Sequence, residues 1–181
     1  MISSISPHGR IFTVRDQDQQ LFRLLQSVFA AELIQPSNVL YLFSPWITDV
    51  DVLDNQTGAF VSIAPEWERT MIPFSRVLRF LADRGTRIRI ASRSADNRSY
   101  EFCETMRDHS IQVPGNVDVQ VWPKLHEKGL LGDAFYLAGS FNFTYSGIYA
   151  SNEELAYFTT AEEAIAQAHL RFHDRWSEKT K

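Results

Sequence analysis

KLHEKGLLGDAFYLAGSFNFTYSG, residues 124–147, is an apolar, strand-like stretch that carries His126, Lys128 and Asp133 and then breaks at Gly139-Ser140-Phe141-Asn142. It reads as two short strands, EKGLLGD and FYLAGS, around a turn at Gly132-Asp133. His126 and Lys128 stand two residues apart at a strand start, which points both side chains to one face. An imidazole and an ammonium on one face, with a Gly-Ser turn returning beside them, make a small anion pocket. Lys128 would supply charge, while Ser140 and Asn142 would donate hydrogen bonds to phosphate oxygens. Each part alone is ordinary: a strand-end histidine, a surface lysine, an aspartate in a turn, and a Ser/Asn turn held by local hydrogen bonds. The ordered combination is far rarer than its parts, and the functional reading prevails.

Outward from this stretch, strand and helix patterns alternate. DQDQQLFRLLQSVFAAELI spaces Leu21, Leu24, Leu25, Val28, Phe29 and Leu33 as one helical face, and Pro36-Ser37-Asn38 ends it. VLYLFSPW is a short continuous apolar run, the pattern of a strand buried on both sides. Residues 47–69 carry mixed signals and an Asn-Gln-Thr-Gly turn, and read as an insertion or a hairpin. PFSRVLRFLADRG is an amphipathic helix with Pro73 at its start and Gly85 as its stop. TRIRIAS and VDVQVW are strands, ADNRSYEFCETMRDH is the helix between them, NEELAYFTT is a further strand, and AEEAIAQAHLRFHDRWSEK closes the chain as a helix. This order predicts an α/β fold, a mixed, mostly parallel sheet sandwiched between helices. Neither repeat nor linker interrupts residues 1–181, so one domain is expected.

Composition narrows the function. The chain has 181 residues, 44% hydrophobic and 22% charged, with a net charge of −4. No global basic field advertises nucleic acid, so any such contact must come from a local patch. Cys103 is the only cysteine, which excludes an internal disulfide framework and a cysteine-rich zinc site. It falls at a helical apolar position beside Phe102 and Met106, where a buried inert thiol is expected. The first residues lack the basic start and apolar core of a signal peptide, and no apolar run is long enough to span a bilayer. A soluble, cytoplasmic protein without stable membrane association is expected.

In open α/β sheets ligands gather at the carboxyl ends of strands. Three such ends are polar here: Ser44-Pro45-Trp46, Arg93-Ser94 and the Gly139–Asn142 turn. Arg76, Arg79, Arg84, Arg87, Arg89, Arg93 and Arg98 concentrate basic charge in the stretch 76–98 of an acidic protein. Arg93 follows a strand at the presumed active edge and is a candidate phosphate contact. Trp46 could stack on a base or close the core. Ser44 and Trp46 join Arg93 as candidate substrate-binding residues.

The signature His126-x-Lys128, four residues, Asp133, then Gly139-Ser140-Phe141-Asn142 resembles the phospholipase D superfamily. Its continuation as GSFNFT looks like the small bacterial nucleases of that superfamily more than the lipid enzymes. An acidic residue usually follows the asparagine by about ten positions, which Glu153 supplies with Glu154 next to it. Most members combine two such motifs in one site, whereas His8, His109, His169 and His173 all lack a lysine two residues on. The resemblance therefore implies a homodimer in which two chains each supply half the site.

By the same resemblance, His126 of one protomer attacks phosphorus and forms a phosphohistidine, and His126 of the other protonates the leaving oxygen and then activates water. Lys128 and Asn142 would cradle the phosphate, Ser140 would add a hydroxyl, and Glu153 would hold the second imidazole nitrogen. Asp133 would secure the turn and support the site. No metal or other cofactor is implied. The expected activity is a metal-independent nuclease acting on DNA or RNA, with restriction or defence as its setting. The alternatives are a phospholipase or phosphatidyl transferase, disfavoured by the lack of a membrane-binding segment, and a catalytically silent nucleic-acid-binding subunit.

Overall fold

In a computed structural model of the chain, which describes residues 9–14, 19–93, 97–149 and 153–179, a strand β1 (Arg10–Val14) precedes helix α1 (Gln20–Ile34) and strand β2 (Val39–Phe43). Strands β3 (Asp51–Asp54) and β4 (Met71–Pro73) lead into helix α2 (Phe74–Asp83), strand β5 (Arg87–Ser92) and helix α3 (Asn97–Gln112). Then come β6 (Val117–Val121), β7 (Gly129–Leu131), β8 (Tyr136–Gly139), the short helix α4 (Tyr145–Ile148), β9 (Glu154–Thr159) and the closing helix α5 (Glu162–Lys179).

Seven strands form one sheet in the order β1-β9-β8-β7-β2-β5-β6. β2, β5 and β6 pair in parallel, and the pairings of β2 with β7, β7 with β8, β8 with β9 and β9 with β1 are antiparallel. Five strands therefore point one way, and only β7 and β9 run against them. The mixed α/β sheet expected from the sequence is the sheet observed; most of its strands share one direction, but only two of its six pairings are parallel. The edge strand β1 and the one-turn helix α4 were not read from the sequence.

β2 explains why its sequence is a continuous apolar run. Leu40 and Leu42 face a core built with α1, α2 and α3, while Tyr41 and Phe43 face a second core built with α5. A strand covered on both faces has no solvent side on which to place polar residues. The α5 core is aromatic: the Phe43 ring stacks on Phe172 at 4.4 Å, and Trp122 meets Trp176 at 5.8 Å. Cys103 lies buried in the first core, where burial pushes its thiol pKa up.

The segment read as an insertion or hairpin folds as a hairpin. β3 and β4 pair antiparallel as a separate two-stranded sheet. Between them the buried Asn55 accepts from Phe60 N at 3.0 Å and donates to Glu68 O at 2.9 Å, which closes the excursion on itself. Asp49, just before β3, takes Ser75 N and Ser75 Oγ, both at 2.7 Å, in the first turn of α2. A carboxylate there satisfies helix donors that lack partners.

The reversal of direction between β2 and β7 places the site. In their register Phe43 lies opposite Gly129, so the residues that follow β2 and those that precede β7 share one sheet edge. Arg93 after β5, Ser140 after β8 and Glu154 at the start of β9 reach the same edge.

Candidate active site

His126 and Lys128 end the loop that enters β7, and Glu127 between them alternates to the other side. Glu127 forms an ion pair with Arg171 at 3.0 Å and another with Arg175, both from α5. That clamp fixes the loop, and with it the placement of its two neighbours. Lys128 Nζ donates to His126 O at 2.8 Å and lies 3.2 Å from His126 Nδ1. The imidazole is exposed, whereas Lys128 is only 8% exposed. Burial holds the Lys128 pKa below the ordinary lysine range; the Glu154 carboxylate pushes it back up, and the Arg93 charge lowers it further.

The Gly139–Asn142 turn is shaped by close backbone approaches. A Cβ at Gly139 would lie 2.2 Å from Leu155 O and 2.7 Å from the Phe141 ring. A Cβ at Gly147, in α4, would lie 2.1 Å from Asn142 O. These two glycines allow β9 and α4 to close on the turn. Gly139→Ala should therefore lower stability by about 2–3 kcal/mol, the scale of overpacking against rigid neighbours. Denaturant titration checks it, and an unchanged midpoint would show that the turn yields easily.

Ser140 Oγ donates to the Glu154 carboxylate and accepts from Leu155 N at 3.0 Å, so its hydroxyl ties β8 to β9. Glu154, the neighbour of the expected Glu153, thus takes part in the turn, while Glu153 is exposed one residue before β9. Asn142 is half-buried, with its Oδ1 3.5 Å from Ser44 Oγ and no partner for Nδ2 among the described residues.

Two expectations are corrected. Ser44 is 0% exposed and cannot bind substrate; its hydroxyl donates to Trp46 O at 2.8 Å and braces the turn through Phe143 N at 3.4 Å. A hydroxyl has one proton, so the longer approach to Asn142 is secondary. Asp133 lies beyond the far end of β7, at the opposite sheet edge. There it accepts from Asn38 N at 2.8 Å and Asn38 Nδ2 at 2.6 Å, while its own N donates to Ser37 Oγ at 2.8 Å. It secures the entry to β2, as the turn role implied, and lies away from the reacting groups.

Arg93 N donates to Pro45 O at 3.1 Å and Nε to Pro123 O at 3.2 Å, which holds the guanidinium 5.9 Å over the Trp46 ring. Trp46, 38% exposed, lines a groove with Asn142. Three other arginines of the basic run are engaged elsewhere: Arg76 and Arg84 hold carbonyls of the 55–70 loop, and Arg89 faces Asp118 at 3.9 Å. Ser94 and the Arg98 side chain lie outside the described residues. Among the described residues no group of three His, Cys, Asp or Glu is placed to hold a metal ion, and no helix is long and apolar enough to cross a membrane.

The geometry is thus an exposed imidazole beside a buried ammonium, a guanidinium and the Asn142 carboxamide, at the carboxyl ends of the parallel strands. No curated protein sequence matches the chain significantly. The fold is similar to that of NucT from Helicobacter pylori, with a TM-score of 0.61 at 15% identity, covering 94% of this chain and 96% of that one. It is equally similar to Nuc from Salmonella typhimurium, a phospholipase D family member, with a TM-score of 0.62 at 13% identity over 94% of this chain and 93% of that one. TrmBL2, an archaeal chromatin protein, gives a TM-score of 0.53 at 13% identity, covering 98% of this chain and 55% of that one. At these identities the likeness is one of fold. Residues 62–176 match the family described as cardiolipin synthase, PLD-like domain. With well over half of its residues matched, the chain belongs to the phospholipase D-like family.

Proposed function

We propose that the protein is a phosphodiesterase that cleaves nucleic acid through a phosphohistidine on His126, in a site completed by a second copy of the chain. The observation that carries this reading is the grouping of His126, Lys128, Arg93 and Asn142 at one sheet edge. Lys128 and Arg93 neutralise the non-bridging oxygens, and the Asn142 amide donates to one of them. A protonated Lys128 has only N–H to offer, so His126 Nδ1 opposite it accepts, and a neutral ring then keeps its proton on Nε2. That is a resting tautomer for either copy: when Lys128 turns from the ring to the phosphate, Nδ1 is freed, so one ring can take up a second proton and act as the acid, while the other carries its single proton on Nδ1 and attacks through a bare Nε2. One chain offers a single such histidine, whereas double displacement needs a nucleophile and an acid together, so the second His126 comes from a partner copy across a two-fold axis.

Nucleic acid is favoured over lipid because cationic Arg93 sits on the Trp46 ring, a pairing suited to phosphate beside a flat base. DNA binding is also what the description of TrmBL2 states for that protein. The positive charge at the site comes from side chains, so cleavage should need no metal. With DNA, RNA and phosphatidylcholine assayed side by side in excess EDTA, nucleic acid alone should be cleaved. Activity that vanishes with chelator and returns with magnesium would overturn the charge assignment.

The rate should require the charged form of Lys128. Its pKa lies below the ordinary lysine value, so the alkaline limb of the pH–rate profile should fall below that of an ordinary lysine. Removing the like charge, by Arg93→Ala, should move that limb up; Glu154→Gln should move it down. Limbs that stay in place in both variants would assign the alkaline limb to another group.

A further inference from the structure

Beyond Asn142 and Trp46, the site opens into a groove of about 1060 Å³ whose chemistry differs from that of the phosphate centre. Among the described residues its ionisable walls are Asp49, Asp51, Tyr145 and Tyr149, with no lysine or arginine. Two carboxylates repel a phosphate backbone, so the groove suits another part of a ligand. Asp49 is already engaged through both oxygens by Ser75. The Asp51 carboxylate has no such partner among the described residues: Tyr149 hydroxyl donates instead to the Asp51 backbone carbonyl, at 2.8 Å. Burial, and secondarily the nearby Asp49, raise the Asp51 pKa, so an N–H donor placed there relieves an unfavourable charge.

The aromatic wall has a direction. Phe22 stacks on Tyr149 at 5.0 Å and 28°, and Tyr149 stacks on Tyr145 at 4.9 Å and 25°. The series ends at Tyr145, which is 68% exposed. A further flat ring would continue it.

We propose that this groove takes one unpaired nucleobase of the substrate strand, stacked against Tyr145 with its N–H edge at Asp51. The inference rests on the nuclease reading above and adds the substrate class: single-stranded nucleic acid. A base inside a duplex has its pairing edge engaged and its faces covered, so it can reach neither partner. Guanine fits best, because its N1–H and N2–H lie side by side and match the two oxygens of a carboxylate. Thymine offers a single N–H between two carbonyls that the carboxylate repels. An ammonium headgroup would also suit a carboxylate among aromatic rings, but a stack that ends in an open ring face favours a planar ligand.

The test is binding of labelled oligonucleotides to the His126→Ala protein, followed by fluorescence anisotropy so that no turnover intervenes. Three probes are compared: a short thymidine strand, the same strand with one central dG, and that dG strand as a duplex. The single dG strand should bind about tenfold more tightly than the thymidine strand and more tightly than its duplex. Asp51→Ala and Tyr145→Ala, each added to His126→Ala, should erase the dG advantage. Equal binding of single strand and duplex, or a dG advantage that survives Asp51→Ala, would overturn the groove assignment and leave the nuclease reading standing. If no oligonucleotide binds and phosphatidylcholine vesicles do, both readings fall and the groove belongs to an ammonium headgroup.

Discussion

His126→Ala should abolish phosphodiester cleavage, with a loss of at least about 10⁴-fold, because in the proposed shared site one substitution removes nucleophile and acid together. The side chain is exposed and belongs to neither core, so stability should change by no more than about 0.5 kcal/mol. The proposed dimer should persist, since the imidazole adds little to a buried interface. Cleavage rate, thermal midpoint and light scattering on the same preparation separate these outcomes. A wild-type protein that is monomeric while active would show that one copy of His126 suffices, and the shared site would be wrong.

Lys128→Met should give the second largest loss, about 10²–10³-fold in rate, the scale of removing one charge-stabilising donor from a water-poor site. Its effect on stability should run the other way. Lys128 is protonated less readily in the folded chain than in the unfolded one, so below the folded pKa its charge costs stability, and stability rises as pH climbs through that pKa. Methionine fills a similar volume without that charge, and the two hydrogen bonds lost involve His126 alone. The variant should unfold at the same temperature or higher, within about 1 kcal/mol of wild type at neutral pH. A variant that unfolds well below wild type would make Lys128 a structural residue first.

The contrast between these two side chains shows what the sequence could carry. Spacing alone placed His126 and Lys128 together, because two residues along an extended chain return to one face. β2 was legible for a similar reason: only a strand covered on both sides reads as VLYLF. Asp133 shows the limit. The linear signature sets it beside His126 and Lys128, but β7 carries it across the sheet, and three strand residues suffice to move it from one edge to the other. Ser44 was misjudged because a strand-end serine looks the same whether its hydroxyl faces solvent or braces a neighbouring turn. The hydrogen bond from Ser140 to Glu154 was not legible either, because it depends on where β9 begins. Tyr145 and Tyr149, at the start and the C-cap of a one-turn helix, gave too short a pattern to register, and the stack of Tyr149 on Phe22 is a tertiary contact that local periodicity does not encode.

The covalent intermediate tests the central claim most directly. Wild-type protein mixed with nucleic acid labelled at its phosphates, quenched in acid during turnover and digested to peptides, should carry the label on the peptide containing His126. His126→Ala protein should carry none. Label on His126 with multiple turnovers in excess EDTA is the result that double displacement predicts. Many turnovers with no adduct on wild type, and appreciable rate retained in His126→Ala, would contradict it.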